Sequence, residues 1–135
     1  MIYSIKDNLQ KARLPLVIIR MLDNDLCLMI DTGASQNLID ESVYDFFKEW
    51  LPDLSEECYR VATFYGESEG KIINIPFTFE NQEYNEPFEI SGDLIPLMAE
   101  KVHEKSGIEV HGILGNNFLQ DHGWIIDFKK QEIYN

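Results

Sequence analysis

The chain has 135 residues, 44% apolar and 26% charged, the balance of a globular protein with a sizeable core and the length of one domain over residues 1–135. Its 24 acidic residues against 11 Lys and Arg leave a net charge of −13. That acidity excludes a phosphate-backbone binder and a surface docked on anionic lipid, so neither nucleic acid nor membrane is expected as a partner.

Two cysteines, Cys27 and Cys58, are too few for a disulfide framework or a zinc site. Cys27 sits in the apolar run LCLMI, where it reads as a small buried hydrophobe. Reduced thiols suit a cytoplasmic protein. The first residues, MIYSIKDNLQKAR, lack the apolar core of a signal peptide, although a chain whose leader had been removed would look the same.

Short apolar runs separated by turn residues predict a mainly β protein. Residues 14–22 read as a strand rich in Val and Ile, Asp23, Asn24 and Asp25 as a polar turn, and 26–30 as a second strand. This hairpin delivers the chain to Asp31. Residues 40–51 read as a helix, with Asp40 as N-cap and Pro52 beyond its end; Val43, Phe46, Phe47 and Trp50 form an apolar stripe expected to pack into the core. Residues 59–65 and 72–79 read as two strands of a long hairpin joined by the polar stretch Gly66-Glu67-Ser68-Glu69-Gly70. A strand is predicted at 88–90 and a second helix over 94–105, capped by Asp93 and ending near Gly107. Residues 108–114 return to strand character, and 116–120 suit a short helix. Residues 124–128 and 132–134 read as a closing hairpin.

The stretch that carries chemistry is LCLMIDTGASQNLID. An apolar strand holds Asp31 at its end, and Gly33 permits a tight turn that brings backbone amides toward the carboxylate. The hydroxyls of Thr32 and Ser35 are placed to order the site, and the neighbours Leu28, Met29, Ile30 and Leu38 lower the local dielectric. One carboxylate is a poor hydrolase. Two that share a proton can activate one water, the arrangement of aspartic-protease dyads. The chain holds one Asp-Thr-Gly, so a second copy related by a two-fold axis must supply the other acid. Asp93 and Asp127 are weaker candidates, because neither precedes a Thr/Ser-Gly pair. His103, His111 and His122 follow spacings of eight and eleven that match no usual zinc pattern.

These residues resemble the retropepsin-like, retroviral-type aspartic proteases in three blocks: Asp31-Thr32-Gly33-Ala34-Ser35, His111-Gly112-Ile113-Leu114-Gly115-Asn116-Asn117-Phe118-Leu119, and Trp124-Ile125-Ile126-Asp127-Phe128. The resemblance covers roughly residues 14–134. It implies a mainly β acid-protease fold, closed and partly barrel-like, with one or two short helices. It also implies a homodimeric aspartic endopeptidase that acts on peptide or protein substrates and needs no cofactor or metal. Asp31 would be the catalytic acid, with Thr32 bracing the paired loops across the dimer axis and Gly33 supplying the turn and an amide. Ala34 and Ser35 would support the site, Ser35 matching the position whose hydroxyl bonds the outer carboxylate oxygen in pepsin-type sites. Gly115 would pack beneath the loop. The hairpin of residues 59–79 would be the flap, with Tyr65 and Gly66 similar to a pepsin-type Tyr-Gly and an acidic tip at Glu67, Ser68 and Glu69 that departs from retroviral flaps. The rival reading is a retropepsin-like domain used for binding or dimerisation, with little or no turnover. Strand-like residues 1–5 and 132–134 offer material either for a dimer interface or for pairing within the chain.

Overall fold

The computed structural model describes residues 1–50, 57–63, 66–92 and 94–135, with 57–63, 66–70 and Leu94 described in backbone alone. In chain order the elements are β1 (Ile2–Ser4), α1 (Lys6–Ala12), β2 (Leu16–Met21), β3 (Asn24–Asp31), β4 (Asn37–Asp40), α2 (Glu41–Phe47), β5 (Glu57–Thr63), β6 (Gly66–Phe79), β7 (Gln82–Ser91), α3 (Leu94–Ser106), β8 (Gly112–Gly115), α4 (Asn116–Asp121), β9 (Ile125–Asp127) and β10 (Glu132–Tyr134). A 3₁₀ turn, Lys48–Trp50, follows α2.

The larger sheet has the order β2-β3-β8-β4-β7-β6-β5. Arg20 of β2 also pairs with Thr78 of β6, which closes six of these strands into a barrel and leaves β5 outside. The mainly β, closed expectation therefore holds; among the described residues there are four α-helices, three of them of seven residues or fewer, where one or two short ones were expected.

The β2–β3 hairpin shows how the sequence sets its register. Val17, Ile19 and Met21 face the same interior as Leu26, Leu28 and Ile30, and a one-residue slip would turn all six outward. That register pairs Met21 with Asn24 and puts the turn at Leu22-Asp23, both at positive φ, rather than at Asp23-Asn24-Asp25 as predicted. Leu16 and Cys27 point to the opposite face, where Val102 and Val110 cover them. With both faces buried, β3 reads as the continuous run LCLMI and not as an alternation. Burial also pushes the Cys27 thiol up to about 11, so it stays a neutral packing group.

Helix α3 lays Ile95, Met98, Ala99 and Val102 toward the protein at spacings of three and four. Gly107, at φ 73°, ends it by donating its N–H to the His103 carbonyl. The aromatic stripe of α2 is corrected by the structure. Phe47 is buried, but Phe46 and Trp50 are 67% and 69% exposed. Adjacent residues on a helix lie about 100° apart, and here α2 turns Phe47 to the core and leaves Phe46 on the solvent side; the change to a 3₁₀ turn at Lys48 then carries Trp50 off the stripe.

A second sheet, ordered β1-β10-β9, joins the chain ends. Ile2 pairs with Tyr134 and Ile133 with Ile126, so both edges of β10 are occupied within the chain. Between the two sheets, Phe77, Tyr84, Phe88, Phe118 and Trp124 form a continuous run of ring contacts that fixes α4 against the barrel. Among the described residues, no helix is long and apolar enough to cross a membrane.

Candidate active site

Strand β8 lies between β3 and β4, parallel to the first and antiparallel to the second. To pass from β3 to β4, residues 32–36 must therefore arch over the end of β8, and that arch is the Asp31 loop. Asp31 sits at the last position of β3, directly across from Gly115. The Gly33 N–H donates to Asp31 Oδ1 at 2.9 Å, and the Ala34 N–H to the Asp31 carbonyl at 3.2 Å. The turn thus closes on the carboxylate and fixes its orientation. Asp31 is half-buried and makes no ion pair with any described Lys, Arg or His.

The loop rests on Gly115. A Cβ there would stand 2.5 Å from the Gln36 carbonyl oxygen and 2.9 Å from that of Ala34, backbone atoms that cannot swing away. One residue on, the Asn116 N–H donates to the Ala34 carbonyl at 2.7 Å. Asn37, the fully buried polar side chain among the described residues, completes the brace. Its Oδ1 accepts from the Gly115 N–H at 2.8 Å and its Nδ2 donates to the Pro87 carbonyl at 3.0 Å. One amide side chain thereby ties β4, β7 and β8 together beneath the loop.

The motif residues are placed as follows. Asp31, Gly33, Ala34 and Gly115 meet in the arch just described. Thr32 and Ser35 are exposed on the loop, and no Ser35 hydroxyl bond to Asp31 is formed in the single chain. Thr32 lines a groove with Asn116, Leu119, Gln120 and the stretch from Gly123 to Ile126, ending at Phe128. Tyr65 lies outside the described residues, as does the proposed cap Asp93. Gly66 begins β6 and pairs with Thr63. Glu67, Ser68 and Glu69 are paired with Ala62, Val61 and Arg60, so Gly66–Gly70 belongs to a strand and is not the polar connection predicted. Residues 66–71 pair with β5 alone, since β7 begins its pairing with β6 at Ile72. They form a two-stranded arm of about 20 Å beyond the barrel.

Asp127 is engaged elsewhere, its Oδ1 accepting the Lys129 and Lys130 amides in the β9–β10 turn. The histidines are separated too. His122 Nε2 meets Glu86 at 2.7 Å, and His111 Nδ1 accepts the Cys27 N–H at 3.0 Å. Among the described residues no cluster of three potential metal ligands occurs.

Sequence reasoning passed over Asn37. Nothing in the local string QNLID marks it, because its role depends on partners 50 and 78 residues away.

No protein-family model and no curated protein matches the chain. Its fold does match a solved structure, the retroviral protease-like domain of Ddi1 from Leishmania major. The TM-score is 0.61 at 13% identity, over 90% of this chain and 86% of that one. An agreement of this extent at so low an identity speaks for architecture, and with the closed barrel and the arch over Gly115 it leads to one conclusion: the chain has the retropepsin-like fold.

Proposed function

We propose that the protein is an aspartic endopeptidase whose active unit is a homodimer, each chain contributing Asp31. The observation that carries this reading is the arch itself. A carboxylate at the end of an apolar strand, oriented by the Gly33 amide and seated on Gly115 and Asn37, is placed with more care than packing requires. Two such carboxylates about 3 Å apart cannot both ionise readily and so hold one proton between them. The ionised member takes a proton from a shared water as that water attacks the peptide carbonyl, while the protonated member donates to the carbonyl oxygen. The apparent pKa values of that cycle belong to the pair.

Thr32, next to Asp31 and exposed, is positioned to meet its counterpart from the second chain. The β5–β6 arm takes the role of the substrate cover, with Gly66 at the start of its second strand. The substrate class is an extended peptide.

Asp31→Asn tests the reading. It preserves the shape of the side chain and the contact with the Gly33 amide but removes the acid. We expect peptide hydrolysis to be lost, by a factor of about 10³ or more, with an unchanged melting temperature. Statine-type peptides, whose hydroxyl mimics the attacking water, should inhibit the wild type. Full activity in the Asn variant would exclude Asp31 chemistry. A wild type that binds peptides without cleaving them would favour the binding-domain reading.

A further inference from the structure

We infer that the surface formed by Leu22, Phe46 and Trp50 is a docking site for a basic segment of a partner protein, one in which apolar side chains are followed by Lys or Arg. The site lies apart from the Asp31 loop and stands whether or not Asp31 hydrolyses peptides.

The first observation is a preformed apolar hollow. Phe46 on α2 and Trp50 on the 3₁₀ turn are exposed, and Leu22, at 44% exposure, joins them from the β2–β3 turn. With Asn24 and the buried Phe47 they line a hollow of about 310 Å³. Single exposed apolar residues are ordinary, but three around one hollow form the contiguous patch of an interaction surface. The Phe46 ring stands edge-on to Phe47, centroids 4.9 Å apart, so the core holds one wall in place. A partner that meets an ordered ring loses less entropy on binding.

The second observation is position. Asn24 begins β3 and Asp31 ends it, so about 23 Å of strand separates the hollow from the Asp31 loop. Strand β4 runs opposite to β3, which carries α2 to that same far end of the barrel. No residue of the Asp31 loop lines the hollow.

The third observation is charge, and it selects the occupant. Leu22 also lines a second, polar hollow of about 550 Å³, with Arg20, Asp23, Thr78, Glu83 and Asn85. On the helix, Asp45 and Glu49 directly precede Phe46 and Trp50 and are exposed. Two bases face these four acids: Arg20 lies 3.9 Å from Asp23, and Lys48 3.3 Å from Asp45. Glu49 and Glu83 are exposed and form no ion pair with a described residue. An apolar side chain in the first hollow thus places a following Lys or Arg near acids that lack a counter-charge. The net charge of −13 steers a basic partner toward the chain. The same acids disfavour a second copy, which would bring its own, and repel anionic lipid.

A displayed library of random peptides tests the site. It is panned on the Asp31→Asn chain, which keeps peptides whole, after subtraction on the same chain carrying Phe46→Ala and Trp50→Ala. We expect the enriched sequences to combine Leu, Ile or Phe with Lys or Arg and to lack Asp and Glu. Trp50 then reports on binding by the wild type, because the chain's other tryptophan, Trp124, is buried. An enriched peptide free of Trp should shift the emission to the blue and shield it from acrylamide. Its affinity should fall by about tenfold or more in Phe46→Ala, and by a few-fold in Glu49→Gln, in Glu83→Gln and at raised salt. Glu104→Gln, which removes the same charge from the exposed face of α3, should bind like the wild type, and all the variants should keep its melting temperature. The inference is overturned if no sequence is enriched over the subtraction, or if the enriched sequences are neutral or acidic. It is equally overturned if Glu104→Gln weakens binding as much as Glu83→Gln, which is attraction to net charge alone. Shielding of Trp50 by raised protein concentration, or by vesicles of neutral phosphatidylcholine, assigns the surface to self-association or to lipid and also sinks it.

Discussion

At the scale of single residues, the Asp31 loop depends on groups packed beneath it. Asn37 satisfies the Gly115 N–H in a fully buried setting. Asn37→Ala strands that donor and the Pro87 carbonyl, and should cost about 1–3 kcal/mol of stability by urea unfolding. Gly115→Ala drives a methyl into backbone oxygens, and should cost about 3 kcal/mol and displace the Asp31 loop. His111 adds a pH dependence. Its Nδ1 accepts the Cys27 N–H, and burial lowers its pKa from 6.5 against a smaller opposite pull from Glu109 and Asp40. Protonation would turn that acceptor into a second donor facing an N–H. With the folded pKa below the unfolded one, the stabilisation is complete above about pH 6.5 and is lost as the pH falls from there through the folded value. Unfolding midpoints at pH 7.5 and pH 5 should therefore differ less in His111→Gln, which keeps an acceptor that does not titrate in this range. An equal acid shift in both proteins would contradict this role.

At the scale of elements, Asp40 illustrates how a local signal succeeds. It was legible as an N-cap, and its Oδ1 accepts the Ser42 N–H at 3.2 Å at the start of α2. Asp40→Ala should destabilise by about 1 kcal/mol and Asp40→Asn by much less, as read from thermal melts. The Asp31 turn, the helix predicted over 94–105 and the closing hairpin were legible for similar reasons, since each is written in neighbouring residues. What escaped the sequence lacks such a signature. Helix α1, KDNLQKA, has no buried residue and hence no apolar stripe to read. Strand β4 spans four residues and exists because β7 and β8 flank it. The connection of the 59–79 hairpin was misplaced because Gly-Glu-Ser-Glu-Gly has loop composition, while its pairing is set by register along β5. Trp50 looked like core because a helical period was carried past the point where the helix tightens.

At the scale of the whole molecule, a retropepsin-like fold carries a single Asp31 loop in each chain. Each chain presents one Asp-Thr-Gly on an arch beside the groove that Thr32 lines; of the two weaker candidate acids, Asp127 is committed to a turn and Asp93 lies outside the described residues. The central claim is that one active site is shared between two chains. Mixing wild-type protein with Asp31→Asn, after time for subunit exchange, tests it most directly. If each site needs an acid from both chains, a mixed dimer is inactive; equal amounts of the variant should then lower activity per wild-type chain to about half, and a tenfold excess to about one tenth. Activity per wild-type chain that stays constant across the mixing series, while sedimentation shows mixed dimers forming, would contradict the shared site.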